Sequence, residues 1–238
     1  DNTNNVTVKN SRIYNTNDEA IELKPGTHDC VVDGNNISAA NLNNVTPGYG
    51  GAAIEVNEAV AAPQHWDSNP NHIIRNNFVH NTGPGGTYQL YNSGIRLGTG
   101  ATAYNNVIYG IQSPGVGILV DNNASDSYTR NLYHNTIDVT SSRAVALSGG
   151  TADVRNNIGP TSTSNKATSS AYYVNAAGAD YHLVAGSAPI NAGVDLTSVV
   201  PTDIEGNSRS LNPPPDLGAY EFVGAKPAAP TNVQAIVH

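Results

Sequence analysis

The chain has 238 residues, with 11 Lys+Arg against 19 Asp+Glu, a net charge of −8 and a charged fraction of only 13%. Asparagine occurs 32 times beside 23 Gly and 14 Pro, methionine is absent, and Cys30 is the one cysteine. That composition excludes a helical bundle, which needs Leu, Glu, Lys and Arg on its faces, a disulfide scaffold, a membrane span of about 18 apolar residues, and an acidic chain is a poor partner for nucleic acid or anionic lipid.

From Asp1 the chain passes through an Asn-rich run into a strand-like Val6-Thr7-Val8, with no Met or leader pattern ahead of it. This reads as part of a longer or matured polypeptide. Beyond that point two phrases recur. The first is a polar pair followed by a β-branched or aromatic residue: Ser11-Arg12-Ile13, Asn35-Asn36-Ile37, Asn76-Asn77-Phe78, Asn105-Asn106-Val107, Asn135-Thr136-Ile137 and Asn156-Asn157-Ile158. The steps between first members are 24, 41, 29, 30 and 21 residues. The second phrase is a small residue followed by apolar-x-apolar: Ala20-Ile21-Glu22-Leu23, Ala53-Ile54-Glu55-Val56, Gly94-Ile95-Arg96-Leu97, Gly117-Ile118-Leu119-Val120 and Ala144-Val145-Ala146-Leu147. Both alternate with period two, so both are strands.

Two short strands returning every ~20 to 30 residues describe stacked coils rather than a β-sandwich with Asn-rich turns. Asparagine suits the coil corners twice over. Its amide can bond to the same residue one coil away, at ~4.8 Å, and it tolerates left-handed backbone. The expected fold is all-β, a right-handed parallel β-helix of about six coils over residues 1–160. Residues 161–222 break the repeat and bring Tyr172, Tyr173, Tyr181 and Tyr220, as an irregular C-terminal cap over the open end of the stack. Residues 223–238 are rich in Pro and Ala and read equally as a linker or as the start of a truncated fibronectin type III-like module.

The longer steps hold insertions carrying Tyr49, His65, Trp66, Tyr88 and Tyr91. Such aromatics either stack on sugar rings or pin their own loops. In apolar-x-apolar strands the middle residue points outward. Stacking the second phrase in register therefore gives an outward column Glu22, Glu55, Arg96, Leu119, Ala146, beside a second column Lys24, Asn57, Gly98, Asp121, Ser148. Opposed Glu22 and Glu55 repel, so a cation, a shared proton or a bound metal must offset them.

The stretch Asn17-Asp18-Glu19-Ala20-Ile21-Glu22-Leu23-Lys24-Pro25-Gly26-Thr27-His28-Asp29-Cys30-Val31-Val32 is similar to a phrase of the bacterial, pectate-lyase-like parallel β-helix repeat proteins. The pieces Tyr181-His182-Leu183, Gly186-Ser187-Ala188-Pro189-Ile190-Asn191-Ala192-Gly193, Asp203-Ile204-Glu205-Gly206-Asn207 and Asp216-Leu217-Gly218-Ala219-Tyr220-Glu221 resemble the end of a surface-anchored β-helix subgroup. Asp203 and Asp216 are assigned to turn bonding. The resemblance implies a bacterial extracellular or cell-surface protein with further domains on both sides, handling polysaccharide, without nucleic acid or membrane insertion.

Two chemistries fit the outward cluster. In Ca²⁺-assisted β-elimination on an acidic polysaccharide, Glu22, Glu55 and Asp121 hold the metal, Lys24 is the base, Arg96 grips the substrate, and Asn57 with the loop aromatics binds the chain. In glycoside hydrolysis, Glu22 and Glu55 are the carboxyl pair. The non-catalytic alternative is a carbohydrate-binding or adhesive stalk module whose cluster is a salt-bridged ladder.

Overall fold

The computed structural model describes residues 4–24, 26–40, 51–56, 71–83, 92–112, 115–121, 128–139, 143–160, 164–209 and 214–224. Their strands form a right-handed parallel β-helix, each coil feeding three sheets in turn. The first sheet contains β1 (Thr7–Lys9), β4 (Val31–Asp33), β7 (Ile73–Arg75), β10 (Thr102–Tyr104), β13 (Thr129–Tyr133) and β16 (Thr151–Arg155). The second contains β2 (Arg12–Tyr14), β5 (Asn36–Ser38), β8 (Phe78–His80), β11 (Val107–Tyr109), β14 (Thr136–Asp138), β17 (Ile158–Gly159) and β18 (Lys166–Ala167). The third contains β3 (Ile21–Leu23), β6 (Ala52–Val56), β9 (Ser93–Leu97), β12 (Val116–Val120) and β15 (Val145–Leu147). Inward residues of all three sheets, among them Val32, Ile74, Leu132, Ile37, Val79, Ile108, Ile54, Ile95 and Ile118, fill one continuous core.

The corner between the first and second sheets explains the asparagine count. Asn35, Asn77, Asn106, Asn135, Asn157 and Asn165 stack their amides, each Nδ2 donating to the next Oδ1 at 2.9–3.0 Å. The same oxygens accept the backbone N–H of the preceding ladder residue at 2.8–3.1 Å. The amide nitrogens also donate to carbonyls such as Val32, Ile74 and Ala103 at 2.9–3.0 Å. Every donor and acceptor of these buried amides is thereby used. The residue just before each ladder position takes left-handed backbone: Gly34, Asn76, Asn105, His134 and Asn156 have φ between 51° and 69°.

These observations correct two sequence readings. Each coil has three strands, and the one that the repeat did not show is short in β4, β7 and β10, with a single buried inward residue and little periodicity. The polar-pair column is also one residue out of step. Ile37 pairs with Val79, and Val79 with Ile108, so Phe78 and Val107 face outward. The slip arises because Gly34 takes the left-handed position in its coil, leaving Asn35 for the ladder, whereas Asn76 and Asn77 divide those two roles.

The outward apolar residues account for the C-terminal region. It contains a hairpin of β19 (Tyr173–Asn175) and β20 (Asp180–Leu183). Tyr173, Tyr181, Leu183, Leu217 and Tyr220 pack on Val107 and Ile158, with Phe78 and Tyr109 alongside. Leu196 and Val200 pack on Tyr133 and Tyr104 of the first sheet. The expected cap over the open end is thus a cover along the flank. It is fastened through the left-handed corner residues: Asn105 Nδ2 donates to the Thr202 carbonyl at 2.9 Å, and Asn156 exchanges two bonds with Val194 at 2.7 and 2.8 Å. Asp203 accepts the N–H groups of Glu205 and Asn207, the turn bonding expected of it, and also that of Glu221, whereas Asp216 accepts those of Asn191 and Phe222 and so ties separate segments instead of closing a turn, all at 2.5–2.9 Å.

Asn106→Ala deletes an amide with four ladder bonds and leaves buried partners unpaired. Chemical denaturation is expected to show a loss of about 3 kcal/mol. Asn165→Ala, at the half-buried last rung, is expected to cost clearly less.

Candidate functional site

The outward column of the third sheet is assembled as the strand phrase implies. Glu22 stands opposite Glu55, Glu55 opposite Arg96, Arg96 opposite Leu119, and Leu119 opposite Ala146. Burial then divides its members. Lys24 is the open end, with 67% of its side chain exposed, and Glu22 retains 21%. Glu55, Arg96 and Asp121 are buried although they point away from the core.

Arg96 is the central tie. Its Nη1 donates to Glu55 Oε1 at 2.6 Å, while Nε and Nη2 both reach Asp121 Oδ2 at 3.0 and 2.5 Å. One guanidinium thus bridges two buried carboxyl groups, neither of which could be tolerated without a cation beside it. Among the described residues, Glu55 Oε2 and Asp121 Oδ1 are left buried without a permanent donor. Burial pushes the Glu55 carboxyl above its usual range despite the Arg96 charge.

Glu19, which the strand pattern leaves unassigned, completes the cluster. It sits in the turn before β3, half-buried, and when it carries a proton it donates to Glu55. Burial raises it to about 7, and the charges of Glu55 and Asp18 add to that rise against a backbone hydrogen bond that opposes it. A residue located by turn geometry rather than by alternation has no periodic signal. The only hint was its place three residues before Glu22.

The roles expected for the cluster change accordingly. Lys24 is ion-paired with Glu22, and that hydrogen bond holds it above the usual lysine range, so it is protonated at neutral pH and is a poor base. Arg96 is occupied on both sides and has no free fork for a substrate carboxylate. The Glu22, Glu55 and Asp121 set does not converge on one point, because Arg96 lies between the last two. Among the described residues no group of three His, Cys, Asp or Glu is placed to hold a metal. The donor set therefore does not fit Ca²⁺. Glu55, 2% exposed and bound to Arg96, is likewise no accessible partner for Glu22 in hydrolysis. Asn57, Tyr49, His65, Trp66, Tyr88 and Tyr91 lie outside the described residues.

Smaller features behave as turn and core chemistry. His28 Nδ1 and Asp29 Oδ2 are 2.7 Å apart, and Cys30 is buried as a small apolar group. Arg96→Met is expected to cost about 3–5 kcal/mol in a denaturation titration, since it strands Glu55 and Asp121. Replacing all three by apolar residues of similar volume should recover most of that loss.

No family model matches the chain, and no curated protein matches it. Among solved structures it is similar to one titled as the crystal structure of pectate lyase Pel9A, with a TM-score of 0.47 and 17% sequence identity. That match covers 92% of this chain and 66% of the other, slightly under two thirds of its length. No helix among the described residues is long and apolar enough to cross a membrane. The parallel β-helix itself stands on the strand order and register given above.

Proposed function

We propose that the protein is an exported, carbohydrate-active β-helix that cleaves a polysaccharide by carboxyl acid–base hydrolysis on its third sheet. The observation that carries this reading is Glu19, a half-buried carboxyl raised to about 7 by burial and by the neighbouring Glu55 and Asp18. A carboxyl that keeps its proton near neutral pH can protonate the leaving oxygen of a glycosidic bond. Glu22, partly exposed, is the paired carboxylate that activates water or attacks the sugar. Glu55 is a positioning residue: it holds the Glu19 proton and is itself held by Arg96.

Hydrolysis is favoured over Lys24-driven elimination because the lysine is protonated. A neutral glycan is favoured over the acidic one that the sequence suggested. An anionic chain needs free cations, yet the two positive groups of the cluster, Lys24 and Arg96, are already bound by Glu22, Glu55 and Asp121. The second reading, a non-catalytic binding or stalk module, draws on the same buried Glu55–Arg96–Asp121 tie, which works equally as a brace between coils.

The test is release of reducing ends from neutral and uronic polysaccharides, run beside ultraviolet detection of an unsaturated elimination product. Glu19→Gln and Glu22→Gln are each expected to lower hydrolysis by about a hundredfold or more. Wild-type activity should fall as pH rises through about 7, because Glu19 must be protonated to act and loses its proton there. An unsaturated product that disappears in Lys24→Ala would instead establish elimination, and inactivity across the panel would favour the binding module.

A further inference from the structure

A second feature stands on the outer face of the first sheet, away from Glu19, Glu22 and Arg96. A groove of about 570 Å³ runs over β4, β7, β10 and β13, lined among others by Asp29, His72, Thr102, Tyr104, Tyr128 and Asn131. Its volume lies within the range of ligand sites. Because it crosses four coils at ~4.8 Å each, its floor extends about 14 Å along the stack. A small compact ligand would leave most of that length empty, whereas a linear oligomer would follow it.

The groove is held in shape by buried groups. Arg130 is fully buried, and it donates to the Gly98 and Tyr128 carbonyls at 3.2 and 2.8 Å. It therefore pins Tyr128 at one edge and the turn leading to Gly100, another lining residue, in fixed positions. Val199, from the C-terminal segment anchored by Leu196 and Val200, lines the groove as well. On the floor, Asn131 Nδ2 donates to Thr102 Oγ1 at 3.1 Å, and Arg75 Nη1 donates to the Tyr104 hydroxyl at 2.9 Å. At the far end the Cys30 N–H reaches His72 Nδ1 at 3.3 Å, which puts the ring proton on Nε2, and burial keeps this imidazole neutral at pH 7.

The lining is chemically selective. It combines two tyrosines with amide and hydroxyl groups that both donate and accept, and the cation beneath it, Arg75, is held by Asp33 and the Tyr104 hydroxyl. Aromatic rings beside amides and hydroxyls match the apolar faces and hydroxyl edges of sugars. The pairing of Arg75 with Asp33 and the presence of Asp29 in the lining disfavour sulfated, phosphorylated or uronic chains. We infer that this first-sheet groove is a binding site for a short run of neutral saccharide, separate from the third-sheet cluster and not dependent on catalysis there.

The test is isothermal titration with neutral glucan-, mannan-, xylan- and galactan-derived oligosaccharides and with uronate oligomers, each variant first checked by its thermal melt. At least one neutral oligomer should bind saturably. Tyr128→Ala and Asn131→Ala should each weaken it by about tenfold, the scale of one lost ring or amide contact. Tyr128→Phe, which keeps the ring, should stay within about twofold of wild type. The inference is overturned if no neutral oligomer binds, if uronates bind as tightly, or if the groove variants bind like wild type. Binding lost only in Glu19→Gln would overturn it too, by moving the ligand to the third sheet, whereas loss confined to the groove variants supports it whatever becomes of the hydrolysis reading.

Discussion

A buried asparagine amide is tolerable only when another amide lies one coil away to complete its hydrogen bonds, and this requirement organises the molecule. The ladder from Asn35 to Asn165 sets the coil spacing and the phase of every turn at that corner. A residue inserted there would break several buried bonds at once. The segments separating successive strands vary most where the chain enters and leaves the third sheet. The ladder corner is thus the constant reference, and the third sheet is the face on which side chains and loops are free to differ.

The charged column on that face follows from the same geometry. Parallel in-register stacking brings like residues together, so two glutamates on adjacent coils meet whether or not that is favourable. The repulsion is offset from two directions. Arg96 binds Glu55 from the coil above, and Lys24 binds Glu22 from just past the end of the same strand. What remains is the Glu19 carboxyl, placed where ionisation would add another negative charge. Its raised proton affinity comes first from its burial and then from the charges of Glu55 and Asp18.

The outward column was legible because apolar-x-apolar strands declare which residues point inward, and the pairings Glu22–Glu55 and Glu55–Arg96 follow directly. The ladder was legible as a column, yet off by one at Phe78 and Val107, because Gly and Asn are interchangeable at a left-handed corner and the pair Asn-Asn hides which member does what. Strands such as Thr102–Tyr104 were missed since three residues with one inward side chain carry no period. Glu19 was missed for a related reason: its position depends on a turn. Protonation states are further still from the sequence, as the same lysine is a base or a bound cation depending on whether Glu22 reaches it.

The flank cover alters how the solenoid behaves as a chain of repeats. In a stack whose coils touch only their neighbours, each interface opens independently and the ends fray. Here the C-terminal segment spans from Phe78 through Val107 and Asp138 to Ile158, so a single piece of chain is bonded across several coils like a splint. Those coils can separate only if the splint detaches along its length, which makes their unfolding one cooperative event. The first two coils, which contribute Glu19, Glu22 and Glu55, lie before the splinted coils, while Arg96 and Asp121 belong to coils it spans. The charged cluster therefore straddles a mechanical boundary, with its carboxylic acid on the yielding side and its arginine anchor on the rigid one.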